Sequence, residues 1–425
     1  MITKPRTVED AGPYKGEIIM KKIEGGVCAA KGFKANGIHC GIRHNRTKRD
    51  LCMIVSDVPA AAAAVYTQNL VKGAPIAVTK RNIANGIAQA VICNSGNANT
   101  CNADGELIAE KMCGLVESAT GIAATDVVVA STGVIGQPLN LEPIAKGMDA
   151  LVAGLDYTME AGTAAAEAIM TTDTVKKEVA VEFTVGGKTC HMGGIAKGSG
   201  MIHPNLATML VFITTDAAIS AEMLQKALRT DVQATFNMLS IDGDTSTNDT
   251  VAVLANGLAG NEEITAEGED FTTFMEALNT ITVELSRRIV ADGEGATKLL
   301  ECVATGADSL AAARAATKSV VCSSLFKSAM FGADANWGRI LCAIGYSGAD
   351  LDITKIGVSL RSKAGTVEVC KNGAGVPFSE EEAKKVLLES EIEILLTLGD
   401  GPFSATAWGC DLTYDYVKIN GDYRT

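Results

Sequence analysis

A mixed α and β fold is predicted for this chain, with helices and strands packed in layers. Three observations predict it. Strand-like apolar runs alternate with helical runs along all 425 residues. No self-similar unit of about 20–50 residues is visible, which argues against solenoids and propellers. Glycine is abundant at 43 residues while aromatics make up only 4%, a balance that favours tight turns and close backbone approach. The length suits roughly two to three domains, but no low-complexity linker divides the chain and composition shows no boundary.

Taken in chain order, IAVTK (76–80) and AVICN (90–94) are expected as strands because β-branched and apolar residues dominate them. ELIAEKMCGLVESAT (106–120) has helical spacing. VVVAST (127–132) is a short apolar strand, followed by the helical run LEPIAKGMDALVAG (141–154). VAVEFTV (179–185) and TMLVFITT (208–215) are further strands. Ser220 is a plausible N-cap for a helix over 221–239, and TVAVLAN (250–256) is again a strand. The acidic stretch GLAGNEEITAEGED (257–270) is expected as a solvated connection. FTTFMEALNTITVELSRRIVAD (271–292) places apolar residues at 275, 278, 285, 289 and 290, the period of a helix with one wide buried face. DLTYDYVKI (411–419) alternates like a strand and carries the chain to an ordered, polar C-terminus.

Charge and composition exclude several classes. A formal charge of −13 and few aromatics argue against a nucleic-acid groove, which needs a basic field. No apolar run reaches the roughly 18 residues of a membrane span; PAAAAAVY (59–66), the longest alanine-rich stretch, is too short. The N-terminus lacks the apolar core of a secretory signal, so a cytoplasmic location is expected. Twelve cysteines are scattered without a CxxC pair and are expected as small buried hydrophobes, as in AVICNS and RILCAIG. His191 and His203 have no carboxylate partner at ligand spacing, so no metal site is expected.

Several segments concentrate small and polar residues beside strands. STGVIGQPL (131–139) follows an apolar run, and a Thr-Gly turn there can offer backbone N–H groups as half of an oxyanion hole, or can be a plain glycine turn. In MTTDTVKK (170–177), with Asp173 at a strand or helix entry, the hydroxyls can meet a substrate carboxylate, although capping is the simpler reading. DGDTSTNDT (242–250) lacks the glycine and final glutamate of a calcium loop and reads as a hydrogen-bonded turn network. ADGEGATK (291–298) sets Glu294 between two glycines, where a carboxylate can meet an ammonium group.

GSGMIHPNLATMLVFITTD (198–216) places Thr208 where a glycine- and proline-containing loop enters an apolar strand. A threonine hydroxyl needs a base, and with four histidines, none in a triad setting, none is obvious. Cleavage of the Ala207–Thr208 bond would supply one. Attack of the hydroxyl on the preceding carbonyl, followed by hydrolysis of the resulting ester, frees an α-amine whose pKa of about 7.7–8.0 suits general-base work.

Together, KGSGMIHPNLATML, STGVIG, MTTDT, FNMLSIDGDTSTNDT, DGEGATK and DLTYDYVKINGDYRT strongly resemble the ornithine acetyltransferases of arginine biosynthesis, also called glutamate N-acetyltransferases. GGVCAAKGFKANGIHCGIR, VSDVPAAAAAVYTQNLVKGAPIAV and CNSGNANTCNADG extend the resemblance over essentially the whole chain. It implies an N-terminal-nucleophile-like aminopeptidase fold made as one precursor, cut into an α chain (1–207) and a β chain (208–425). It implies that Thr208 takes the acetyl group of N2-acetylornithine and passes it to glutamate in a ping-pong cycle. Thr132 and Gly133 match the family's oxyanion-hole pair. Thr171, Lys197, Thr208, Glu294, Asn420 and Thr425 match its substrate-contacting positions. No resident cofactor is implied, acetyl-CoA is left open as a second donor, and the expected assembly is a heterotetramer of two α and two β chains. His203 departs from the small or aliphatic residue expected there, and Leu206 from a common methionine. A self-processing amidohydrolase with the same nucleophile remains the alternative.

Overall fold

Two β-sheets organise the molecule, and the longest helix lies between them. The computed structural model describes residues 20–43, 45, 47–203 and 209–422. Strands β1 (Lys21–Ile23), β2 (Phe33–Ile38), β3 (Leu51–Tyr66), β4 (Ile87–Asn97), β5 (Val127–Val134), β6 (Lys177–Val185), β7 (Lys188–Lys197) and β8 (Leu210–Thr215) build the first sheet. After β9 (Leu239–Ser240), which belongs to the other sheet, β10 (Thr250–Ala255) completes it. Its order among the described residues is β1-β6-β7-β8-β10-β3-β4-β5, with β2 on β3. The pairs β8–β10 and β4–β5 are parallel and the rest antiparallel.

The second sheet adds β11 (Leu299–Ala307), β12 (Gly357–Ser362), β13 (Gly365–Lys371), β14 (Ala374–Gly375), β15 (Glu391–Thr397) and β16 (Phe403–Cys410), ordered β14-β13-β12-β15-β11-β16-β9. This is the mixed α and β architecture expected. The first sheet draws strands from both sides of position 207, whereas every described strand of the second follows it.

Helices α1 (Ala74–Asn82), α2 (Gly105–Thr120) and α3 (Glu142–Ala153) pack on the face of the first sheet that carries Leu51, Met53, Ile92 and Val129, and α4 (Met159–Ile169) packs on the opposite face with Cys52, Ile54, Val91 and Val128. The alanine content of α4 has a packing reason: a Cβ on Gly37 of β2 would stand 2.0 Å from the Ala164 carbonyl oxygen. Helices α5 (Ala221–Asp231) and α6 (Glu269–Ala291) also lie on the face opposite α4, against Ala63, Val65, Val211 and Val253. Leu278, Ile281, Leu285 and Ile289 of α6 join one apolar cluster with Val181 and Phe183 of β6 and with Leu300 and Cys302 of β11. Helices α7 (Leu310–Cys322), α8 (Ser324–Phe331), α9 (Trp337–Gly345), α10 (Glu380–Leu387) and α11 (Tyr414–Asp422) complete the chain.

Three expectations are corrected. IAVTK lies within α1, because Pro75 starts a helix there and Lys80 and Arg81 suit its C-terminal end. DLTYDYVKI is a strand neither in pairing nor in shape. Thr413 accepts the Tyr416 amide at 3.3 Å and opens α11, so the polar C-terminal segment is helical through Asp422. The helix expected over 221–239 starts at the Ser220 cap as read but ends at Asp231, and Thr235 bonds back to the Asp231 carbonyl at 3.0 Å. The cysteine reading holds for Cys93 but not for Cys342 of RILCAIG or for Cys101, both exposed.

Candidate active site

Lys197 ends β7 with its backbone paired to Leu210, the first residue of β8. Its side chain is 8% exposed, and its ammonium makes no hydrogen bond or ion pair among the described residues. Burial lowers its pKa, while Asp173 and then Asp249 oppose that shift. A buried cation without a bonded partner is costly unless something supplies the charge. An anionic group beside Lys197 would supply that charge.

The side chains around Lys197 are anchored by a buried ionic knot. Lys177, fully buried at the start of β6, places its ammonium 2.7 Å from Asp173 and 2.6 Å from Asp292. Asp173 also accepts the amides of Thr171 (2.9 Å) and Gly198 (2.7 Å). Burial works against its charge, yet Lys177, Lys197 and these bonds hold its carboxyl well below the usual range. Asp292 accepts from the Thr174 amide and hydroxyl, and its carbonyl takes the Ser199 hydroxyl at 2.7 Å. Residues 171–177, 197–199 and 292–294, distant in sequence, thus converge on one lysine. Capping does not describe Asp173.

Glu294 follows directly. Its amide donates to the Ser199 carbonyl at 2.9 Å, and its carboxylate accepts from the Asn420 side-chain amide at 2.8 Å. A Cβ on Gly200 would fall 2.4 Å from the Glu294 carboxyl carbon, so the glycine is what lets the carboxylate lie there. Helix α11 rests on the same turn: Thr413 donates to the Gly295 carbonyl at 2.7 Å. Thr171, Lys197, Glu294 and Asn420 are therefore held by one connected network. Thr208, Ala207 and Thr425 lie outside the described residues.

The Thr132–Gly133 turn ends β5 alongside β4. Gly133 has φ +133°, and a Cβ there would lie 2.3 Å from the Gly96 carbonyl carbon, so no other residue fits. Thr132 is buried. Two links run from this turn towards Lys197. Asn248 donates to the carbonyls of Ser131 (2.9 Å) and Ala98 (2.5 Å) and accepts from Thr100 (2.6 Å). Arg43, whose Cγ faces Gly96, reaches the Met170 carbonyl beside Thr171 and adds positive charge near Lys197.

After Asn248, Asp249 is buried with one carboxylate oxygen unpartnered, and burial pushes its pKa well above the ordinary value. Its successor, Thr250, donates to the Met209 carbonyl at 2.9 Å. DGDTSTNDT is thus the turn network expected, and it also bridges the two halves of the site. Asp242 of the same loop accepts the amides of Met201 (2.6 Å) and Ile202 (2.9 Å) and the Tyr416 hydroxyl (3.3 Å).

Sequence reading missed Lys177, Asp292, Asn248, Asp249 and Arg43. The signal available was their position inside segments already singled out. Among the described residues no three His, Cys, Asp or Glu side chains converge as metal ligands, and no described helix is long and apolar enough to cross a membrane.

His203 sits against Ser240 (3.2 Å) and the Cys322 thiol (3.5 Å). Burial, with Lys318 nearby, lowers its pKa from 6.5 to about 4. The unfolded chain therefore binds more protons between these values, so the stability this residue confers is complete above about 6.5 and lost as pH falls towards 4. His203→Gln is expected to flatten the dependence of Tm on pH across that window. Identical slopes for the two proteins would refute it.

A family model described as the ArgJ family matches residues 34–425. The chain is 49% identical over 407 residues to the arginine biosynthesis bifunctional protein ArgJ of Caldanaerobacter subterraneus subsp. tengcongensis, covering 96% of this chain and 100% of that protein. It is 49% identical over 408 residues to the protein of the same name from Symbiobacterium thermophilum, with 96% and 100% covered. Among solved structures, the arginine biosynthesis bifunctional protein argJ of Bacillus halodurans is 45% identical with a TM-score of 0.43, covering 45% of this chain and 100% of that one.

Proposed function

The chain belongs to the ArgJ family, and from that premise we propose that it is an ornithine acetyltransferase of arginine biosynthesis using Thr208 as nucleophile. The observation that carries the reading is Lys197, a buried ammonium without a bonded partner among the described residues, held in one network with Thr171, Glu294 and Asn420. N2-acetylornithine and glutamate share an amino-acid carboxylate, and Lys197 is suited to receive it in either.

The precursor cuts itself between Ala207 and Thr208. The Thr208 hydroxyl attacks the Ala207 carbonyl and the C–N bond breaks, leaving an ester and the free α-amine; water then hydrolyses the ester, restoring the hydroxyl and giving the Ala207 carboxylate. That amine then takes the hydroxyl proton as Thr208 attacks the acetyl carbonyl of N2-acetylornithine. Negative charge develops on the carbonyl oxygen, where the Thr132–Gly133 turn supplies donors; one such donor is worth about 2.7–4 kcal/mol. Ornithine leaves with the proton, and acetyl-Thr208 remains. The glutamate amine attacks this ester, N-acetylglutamate departs, and the hydroxyl is restored. Acetyl-CoA would load the same hydroxyl as an alternative donor and give N-acetylglutamate directly, with no resident cofactor.

The α and β products would stay together, because β7 pairs with β8 and β3 with β10 across the cleavage position. Two such pairs make the proposed heterotetramer, with cytoplasmic substrates as its partners. The test is consumption of N2-acetylornithine with and without glutamate. Sustained turnover is expected only with glutamate, and equal turnover without it would make the protein a hydrolase.

A further inference from the structure

The alanine run PAAAAAVY has no part in the site just described. It forms the second half of β3, although alanine is a poor strand residue. Strand β4 accompanies β3 only as far as Ala61, opposite Ile87. Beyond it the strand edge is open, and single groups meet it: the Ala62 amide donates to the Gly86 carbonyl at 2.8 Å and the Ala64 amide to the Gln225 side-chain oxygen at 3.3 Å. With α1 on one side and α5 on the other, the small side chains leave a recess of about 620 Å³. This lies within the range of small-molecule sites.

The chemistry of the wall is one-sided. Lys80 from α1 and Arg229 from α5 both line the recess, neither has an ion-pair partner among the described residues, and no Asp or Glu lines it. Lys80 stands 5.0 Å over the ring of Tyr66. The Tyr66 hydroxyl and the Gln225 side-chain nitrogen are buried in the wall without an acceptor. The recess therefore presents two cations and no carboxylate, in a protein of net charge −13. The floor is apolar, from Ala62, Ala64 and Ile83. An apolar floor under paired cations suits a carboxylate on an apolar body better than a bare inorganic ion.

We propose that this recess binds a small organic carboxylate and acts as an effector site. Thr79, the neighbour of Lys80, exchanges two hydrogen bonds with Val129 of β5, at 2.7 and 2.9 Å, three residues before Thr132. A ligand drawing α1 towards α5 therefore pulls on the strand that presents the Thr132–Gly133 turn. The effect on turnover rests on the acetyltransferase reading; the binding does not.

The test uses the full-length processed protein and 4-bromobenzoate, with inorganic phosphate as a parallel probe. Calorimetry should give saturable binding of one bromobenzoate per chain, and soaked crystals a bromine anomalous peak above Ala62 and Ala64. Lys80→Glu/Arg229→Glu should weaken binding about tenfold or more, as expected for losing charged hydrogen bonds. The milder Lys80→Gln/Arg229→Gln pair should move it the same way. Bound probe should change kcat/KM for acetyl transfer about fivefold in the native protein and not in the charge-reversed one. Absence of saturable binding, binding indifferent to both double variants, or phosphate binding as tightly as the carboxylate would overturn the site. Binding that leaves kcat/KM unchanged would overturn its effector role. Because binding is read without turnover, a protein inactive in acetyl transfer still reports on the recess.

Discussion

Replacement of Thr208 by alanine is expected to leave a single 44.1 kDa band on a denaturing gel and to abolish acetyl transfer. The native chain is expected to give two fragments, of 207 and 218 residues. One hydroxyl is assigned both reactions: it attacks the Ala207 carbonyl in processing and the acetyl carbonyl in catalysis. Removing it leaves no other route to the free amine, so both are lost together. Thr208→Ser keeps the hydroxyl and should still be cut, which separates chemistry from a fold defect. Fragments appearing in the alanine variant would refute the mechanism.

The second large effect is expected at Lys177, which touches no substrate. Lys177→Met leaves Asp173 and Asp292 buried opposite an apolar chain, and breaking such a pair destabilises by about 3–5 kcal/mol. The variant should melt well below the native protein. Activity should fall further than stability explains, because the knot fixes Thr171, Gly198 and Glu294 together, and a displacement of about 1 Å can lower a rate about 100-fold. A triple variant, Lys177→Met with Asp173→Asn and Asp292→Asn, removes the stranded charges and should recover much of the Tm. Its kcat/KM should stay low, since an amide accepts the Thr171 and Gly198 bonds weakly. Full recovery of activity with stability would make the knot merely structural.

Elements whose burial follows a simple pattern were legible. Helices α2, α3 and α6 fall where their period put them, and strands β5, β8 and β10, buried almost throughout, read as continuous apolar and β-branched runs, as do β4 and β6 over most of their length. Strand β16 was not, since its exposure runs from open to buried along its length rather than alternating. IAVTK and DLTYDYVKI misled for a related reason. Their β-branched and aromatic residues favour a strand, but Pro75 and the Thr413 cap decide the local backbone.

The sequence by itself determined the chemistry on offer: a threonine after a glycine-rich loop, a Thr-Gly turn after a strand, and a glutamate between glycines. These are local facts, since a nucleophile or a turn is specified by a few adjacent residues. Only the tertiary structure decided which groups act on one another. Lys197 has no bonded partner among the described residues because Lys177 holds Asp173 at bonding distance, and Asp173 is charged because both lysines outweigh its burial. The segment Asn248–Thr250 ties the Thr132 turn, more than a hundred residues away, to Met209 at the start of β8, through the Asn248 bond to Ser131 and the Thr250 bond to Met209. Charge state and position depend on neighbours in space, and no spacing along the chain encodes them.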